Sequence, residues 1–405
     1  MSRQAWLLLA SLYTTQYLGL GFFVVALVAI LRQRGAGLET VSLVYMLGLV
    51  WPLKVLWAPW IDRIGMGRLG HYRGWLLVTQ SGLVVLLLLI GSLDVIDDFA
   101  LLYALCVGVA LVSATQDIAV DGLSCRLLSP SERGLGNGLQ ISGGLVGNLI
   151  GGGVILMAHP HIGWGGCLTV LAAGTAVSLV QLAGFREPRW AGRTPGTRML
   201  LGRLVLFWRF AGRGRWLLLL LLFPVGSGMA YAVIIPALVD RGWDLDAIGL
   251  VVNVAGSLVG LAAAMGTGWL MGRLSRRAAL VGTAVAQVVG VLAVALALLD
   301  GVPAAVAGIG VVLFFLGYNP AATVLATLMM DQAAHDTPAT DYAVQYSVNQ
   351  FAAMATMTAA AALAAPLGYP GVIALAALAA AAATLLSLSY EPPRPGPTST
   401  AETRP

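Results

Sequence analysis

Twelve apolar runs fill this 405-residue chain almost end to end, each near the ~20 helical residues needed to cross a hydrocarbon core of roughly 30 Å. They occupy residues 5–31, 38–61, 74–93, 99–126, 132–158, 163–185, 214–239, 245–272, 277–299, 303–331, 339–366 and 370–390. Lipid offers no hydrogen-bond partners, so a spanning segment must satisfy its own backbone, and runs of this length predict helices. A soluble alternative is excluded by composition. Charged residues make up 10% and hydrophobic residues 59% of the chain, whereas a soluble domain carries about 25% charge. The fifth run contains GGLVGNLIGGG and is still read as a helix, because glycine is tolerated where membrane helices pack backbone to backbone.

Loop charge sets the topology. Every basic residue except Lys54 is arginine or the chain terminus, and the arginines collect in alternate loops. Arg63, Arg68 and Arg73 follow the second run, Arg126 and Arg133 the fourth, eight arginines from Arg186 to Arg215 the sixth, and Arg273, Arg276 and Arg277 the eighth. Intervening loops carry acid instead: Asp94, Asp97 and Asp98, then Asp240, Asp244 and Asp246, then Asp300. Basic loops stay cytoplasmic, which predicts a multi-pass protein of a bacterial inner membrane with both termini inside. The net charge of +5 is thereby explained, and no nucleic-acid partner is expected. Arg3 and the run behind it read as a retained first helix, not a cleaved signal.

The long basic loop divides the chain into an N-terminal six-helix bundle (1–185), a cytoplasmic linker (186–213) and a C-terminal six-helix bundle (214–390). A Pro-, Ser- and Thr-rich tail (391–405) is expected to be disordered. The expected fold is an all-α membrane protein of twelve transmembrane helices in two pseudo-symmetric six-helix bundles. A weak internal echo fits a duplication: WIDRIGMGRLGHYRG after the second run and GWLMGRLSRRAA after the eighth both place glycine and arginines at a helix exit. Six-plus-six halves of this kind mark the major facilitator architecture.

Ionisable residues inside the runs point to function, since a charge at mid-membrane costs about 2.5–3.5 kcal/mol even on insertion scales. Asp117 and Asp121 in ATQDIAVDG are spaced i, i+4 and share a helix face. Asp117 precedes Arg126 by nine residues, about 13 Å of helix, and Lys54 precedes Asp62 by eight, about 12 Å. The two therefore reach one depth from two helices, and pairing would relieve the cost of burying either alone. Such a pair serves as a protonatable centre or as a static bridge between helices.

Asp62 with Arg63, Arg68 and Arg73 reads as a gate latch at a helix end, or as plain loop topology. Tyr13, Gln16, Tyr17, Trp51, Gln116, Gln140, Tyr231, Asn319, Gln345 and Asn349 are candidate substrate ligands, although amides also bind membrane helices to one another. No nucleotide loop, nucleophile elbow or metal-type spacing occurs. Cys106, Cys125 and Cys167 read as packing residues, and His159 and His161 as a solvated turn. The expectation is a non-enzymatic protein with no cofactor or metal, driven by an ion gradient.

At KVLWAPWIDR (Lys54–Arg63), RGWLLVTQ (Arg73–Gln80) and SATQDIAVDGLSCRLLSPSERGLGNGLQ (Ser113–Gln140) the chain resembles one branch of the major facilitator superfamily. That branch holds muropeptide permeases, acetyl-coenzyme A transporters and single-component siderophore permeases of the pyochelin/rhizobactin type. The likeness is clear over the first six runs and architectural over the rest. D-G-L after T-Q-D-I-A-V tilts it toward the siderophore permeases. This resemblance implies import of a ferric siderophore from periplasm to cytoplasm, with Lys54, Asp117 and Asp121 as family positions; a monomer working by alternating access and coupled to protons is expected. Permeation of muropeptides or other cell-wall fragments is the alternative, a drug-type exporter less so.

Overall fold

A computed structural model describes residues 1–188, 197–209, 212–299 and 301–391. Asp300, part of the linker and all but the first residue of the expected tail lie outside the described residues. Ten helices among them are long and apolar enough to cross a membrane. Two of the ten, Arg133–Gly184 and Pro338–Ser387, run to 52 and 50 residues, more than twice the length of one crossing.

Each long helix is two, folded back at one glycine. Gly163 (φ 67°, ψ 179°) and Gly368 (φ 65°, ψ 167°) interrupt them in a region of backbone space that is essentially glycine-only. Cys167 Sγ lies 3.6 Å from the carbonyl of Ile155, whereas twelve residues of straight helix would separate them by about 18 Å. Likewise a Cβ on Gly226 would touch Ala376 and one on Gly228 would touch Ala353, so distant parts of the second long helix flank neighbouring turns of a third. Counting each break as a turn gives twelve spans.

We number them α1 (Arg3–Gln33), α2 (Leu38–Leu56, resuming as Ala58–Arg63), α3 (Tyr72–Gly91), α4 (Phe99–Leu127), α5 (133–162) and α6 (164–184). The second six are α7 (Arg213–Asp240), α8 (Asp246–Leu270), α9 (Arg276–Leu298), α10 (Ala304–Gln332), α11 (338–367) and α12 (369–387). A short linker helix, Thr197–Leu206, lies between the halves.

Glycines explain the helix pairing. On α5, Gly143, Gly147 and Gly151 recur every fourth residue, and a Cβ on any of them would run into α1 at Tyr13, Thr14 or Leu18. Such small-residue stripes let membrane helices gain dispersion contacts that apolar bulk cannot, because lipid tails already solvate leucine. The glycine-dense fifth run is therefore helical because of its neighbour. It includes a π-helical stretch, Leu149–Val154, against another in α1, Phe22–Leu27.

The buried core branches. One cluster draws residues of both halves together, including Leu12, Ile118 and Leu123 with Leu219, Leu328 and Ala343. A second holds first-half residues such as Phe22, Leu87 and Leu168, and a third holds second-half residues such as Val233, Val294 and Ile373. The halves are joined at the end bearing the arginine-rich loops and pack as separate bundles beyond it. Replacing Gly163 by alanine should cost about 1–3 kcal/mol through backbone strain; thermal unfolding in detergent would measure it, and an unchanged midpoint would refute the strained turn.

Candidate functional site

Lys54 owes its position to a broken helix. Pro52 supplies no N–H and α2 narrows to 3₁₀ turns at Leu47–Leu49 and Lys54–Leu56, a device that frequently marks a hinge. Trp57 Nε1 donates to Thr115 Oγ1 at 3.1 Å, holding this segment against α4. From there the Lys54 ammonium lies 2.5 Å from Asp117 Oδ2 and 3.2 Å from Asp121 Oδ2. All three side chains are at most 2% exposed. The i, i+4 spacing on α4 thus gathers two carboxylates around one ammonium. Formal charges leave one carboxylate in excess, so the cluster is neutral when the pair of acids holds a single proton.

Other helices complete the enclosure. From α1, the Tyr13 hydroxyl is 2.9 Å from Ser124 Oγ and 3.5 Å from Asp121 Oδ1. From α5, Gln140 Nε2 donates to Asp121 Oδ1 at 3.0 Å. The second bundle contributes through α11: Tyr342 donates to Gln140 Oε1 at 3.2 Å, and the Tyr346 ring covers the Lys54 ammonium at 4.1 Å. The triad therefore sits at the seam between bundles. Both tyrosines escaped the sequence reading, though their i, i+4 spacing in DYAVQY was visible.

The other candidate ligands disperse. Tyr17 is half-buried near Tyr346 and Lys54. Gln16 is fully buried, with neither side-chain polar atom partnered among the described residues. Trp51 is 4% exposed and its Nε1 lacks a partner among them too. Gln116 donates to the carbonyl of Leu12 at 3.2 Å, joining α4 to α1. In the second half, Gln345 accepts from Trp216 Nε1 at 2.7 Å and Asn349 donates to the carbonyl of Leu220 at 3.0 Å. Asn319 donates within α10 to the carbonyl of Phe315 at 3.1 Å. Tyr231 stands apart from these amides, in an aromatic group with Phe314 and Tyr318.

At the arginine-rich end, Asp62 reaches across the seam. Its carboxylate accepts the backbone N–H groups of Ala339 and Thr340 at 3.2 and 2.7 Å and the Tyr72 hydroxyl at 2.5 Å. It thereby caps the N-terminus of α11, where unpaired donors and the positive dipole end favour an anion. The linker helix holds the same turn: Arg203 grips Asp341 through two hydrogen bonds of 2.8 and 2.9 Å. Bonding to that carboxylate raises the guanidinium's pKa above its usual value. Asp331 joins Arg133 of α5 to Arg276 of α9 at 3.0 and 2.6 Å.

Arg73, by contrast, stays inside its own bundle, donating to the carbonyls of Leu182 and Ala183 at the end of α6. Arg63 and Arg68 are exposed. Backbone contact seals this end: a Cβ on Gly268 of α8 would lie 2.5 Å from the carbonyl oxygen of Gly134 of α5, and one on Gly138 would lie 2.8 Å from that of Ala264. Sequence reasoning missed Arg203, Asp331 and Asp341, because an acid at a helix end does not reveal its partner.

Two helical bundles sealed at one end, with a buried ion cluster on their seam, define a multi-spanning membrane transporter of the two-bundle class. The chain belongs to the Major Facilitator Superfamily, whose family model matches residues 9–357. It is 32% identical over 244 residues to the anhydromuropeptide permease of Escherichia coli K12, a match covering 59% of this chain and 49% of that one. A putative transporter of Rickettsia felis is 22% identical over 269 residues, covering 64% and 65%. The chain spans about half the length of the Escherichia coli relative it matches.

Among solved structures, the human organic anion transporter MFSD10 superposes with a TM-score of 0.74 at 13% identity, covering 96% of this chain and 100% of that one. The Escherichia coli fucose:proton symporter gives 0.68 at 10%, covering 94% and 97%. These two share the fold. The expectation of ferric siderophore import is corrected by the muropeptide match. The strings that suggested it, around Lys54, Asp117 and Asp121, build the charge cluster, whose chemistry carries no mark of a cargo.

Proposed function

We propose that this protein is an inner-membrane permease for anhydromuropeptide-type cell-wall fragments, working by alternating access and coupled to protons. The observation that carries the mechanism is the triad's place on the seam, fully buried and covered by Tyr346 from the opposite bundle. Separating the bundles would uncover Lys54 and admit water to the acids, so proton binding and the bundle seam are linked through one cluster. The match to a muropeptide permease supports the cargo. The arginine bias supports a cytoplasmic position for the sealed end, which makes this the state closed to the cytoplasm.

The proposed roles are proton coupling for Lys54, Asp117 and Asp121, and inner-gate closure for Asp62 with Arg203 and Asp341. Proteoliposomes holding the full chain should accumulate tritiated anhydromuropeptide when a proton gradient, acid outside, is imposed. Uptake equal to that of empty liposomes would remove this cargo. Uptake indifferent to the gradient would remove the proton.

A further inference from the structure

The second bundle carries an aromatic array that the triad mechanism leaves unused. Tyr231 of α7 and Phe314 and Tyr318 of α10 lie with ring centroids 5.6–6.3 Å apart and planes within 28° of parallel. Phe315 buttresses them edge-on, at 86° to Tyr231 and 77° to Phe314. Where the array faces can be read from helix phase. On α10, Ile309, Leu313 and Leu316 are exposed on one face, as lipid contact requires. Tyr318 lies nine residues beyond Ile309, half a turn out of phase at 100° per residue, yet is 37% exposed. It faces away from that lipid row, toward the side of α10 where its ring meets Tyr231 and Phe314.

The chemistry divides by exposure. The two open positions, Tyr231 and Tyr318, carry hydroxyls, while Phe314 and Phe315 are buried and carry none. A wall of this kind suits a ligand with one apolar ring face and hydroxyl or amide groups at its edge. Tyr318 is also within electrostatic reach of Tyr346, the ring over Lys54, so a ligand seated here adjoins the cover of the charge cluster.

We infer that Tyr231, Phe314 and Tyr318 form the docking platform for the sugar ring of the cargo. This rests on the muropeptide reading, since an anhydromuropeptide is a cyclised amino sugar bearing a peptide. The C–H face of the sugar lies on the electron-rich ring faces, and the tyrosine hydroxyls serve its polar edge as donors and acceptors.

The test uses the full chain in proteoliposomes with three probes: the anhydromuropeptide, its anhydro sugar without peptide, and its peptide without sugar. Tyr318→Ala should raise the apparent KM for the anhydromuropeptide about tenfold, the scale of one lost aromatic contact. Tyr318→Trp, which keeps a ring, should remain within about threefold. The free sugar should compete with uptake by the native chain and about tenfold more weakly with Tyr318→Ala, while the sugarless peptide competes equally with both.

An unchanged KM in Tyr318→Ala, or an equal loss for the sugarless peptide, overturns the platform. Should Tyr318→Ala not insert, Tyr231→Ala is held to the same outcomes. Absent uptake by the native chain defeats the cargo reading alone. Sugar binding to the purified protein, followed by intrinsic fluorescence, then decides the platform: binding weakened by Tyr318→Ala supports it, and no binding refutes it.

Discussion

Replacing Asp117 by asparagine is expected to abolish accumulation against a gradient while leaving the protein folded, inserted and able to exchange cargo down its gradient. The triad holds two carboxylates and one ammonium, each essentially buried, and an excess charge there costs several kcal/mol unless a proton neutralises it. Asparagine mimics the protonated acid. Lys54 then keeps one partner, Asp121, at 3.2 Å, so the cluster is permanently neutral and has no proton to release. On the proposed coupling, exchange needs only the bundles to rock, whereas uphill transport needs the proton to leave. Gradient-driven uptake and counterflow, measured side by side, separate the two, and gradient-driven accumulation by Asp117→Asn at the native level would end Asp117's role. Lys54→Met differs in kind, because it strands both carboxylates; losing one partner of a buried pair costs about 3–5 kcal/mol, so reduced insertion is expected there.

Gly268→Val should prevent the bundles from sealing at the arginine-rich end and depress transport by two orders of magnitude or more. The obstacle is backbone: a Cβ at Gly268 would stand 2.5 Å from the Gly134 carbonyl oxygen and 3.1 Å from both its carbonyl carbon and the Cα of Leu135. No side chain can swing aside to make room, so closure would require α5 and α8 to separate. Alternating access fails when one of its two states is lost, since a shift from 1:99 to 99:1 already takes about 5.5 kcal/mol. Spin labels at Ser131 and Gly272, which adjoin across the seam, would report it. Their short-distance population should vanish in Gly268→Val. Retention of that population with normal uptake would show that the α5–α8 contact is not the gate.

The sequence showed where the charge cluster comes from. The i, i+4 acids on α4 and a lone lysine at matching depth on α2 gave the pairing, because helical rise turns residue counts into depth. Asp62 was legible in the same way, as an acid at a helix end. Its ligands were not: Ala339 and Thr340 offer backbone N–H groups, and backbone donors leave no mark in side-chain identity. Amides are ambiguous for a related reason. Gln345 and Asn349 look alike in sequence whether they face an opening or a neighbouring carbonyl, and here they meet Trp216 and the Leu220 carbonyl. The cargo suggested by the motif strings was wrong, since residues that build a buried ion cluster need not touch what is carried.

By itself the sequence determined that this chain lives in a bilayer, that its helices form a two-bundle fold, and that Lys54 and Asp117 meet. Each follows from local physics, namely the length of an apolar run, the sidedness of arginine and the cost of an ion in oil. Tertiary structure alone decided which end is sealed, that α5 is straddled by α1 and α8 through two glycine faces, and that α11 supplies the cover over Lys54. Those outcomes depend on which helix backs onto which, and contact between segments more than a hundred residues apart is not written in the period or composition of either one.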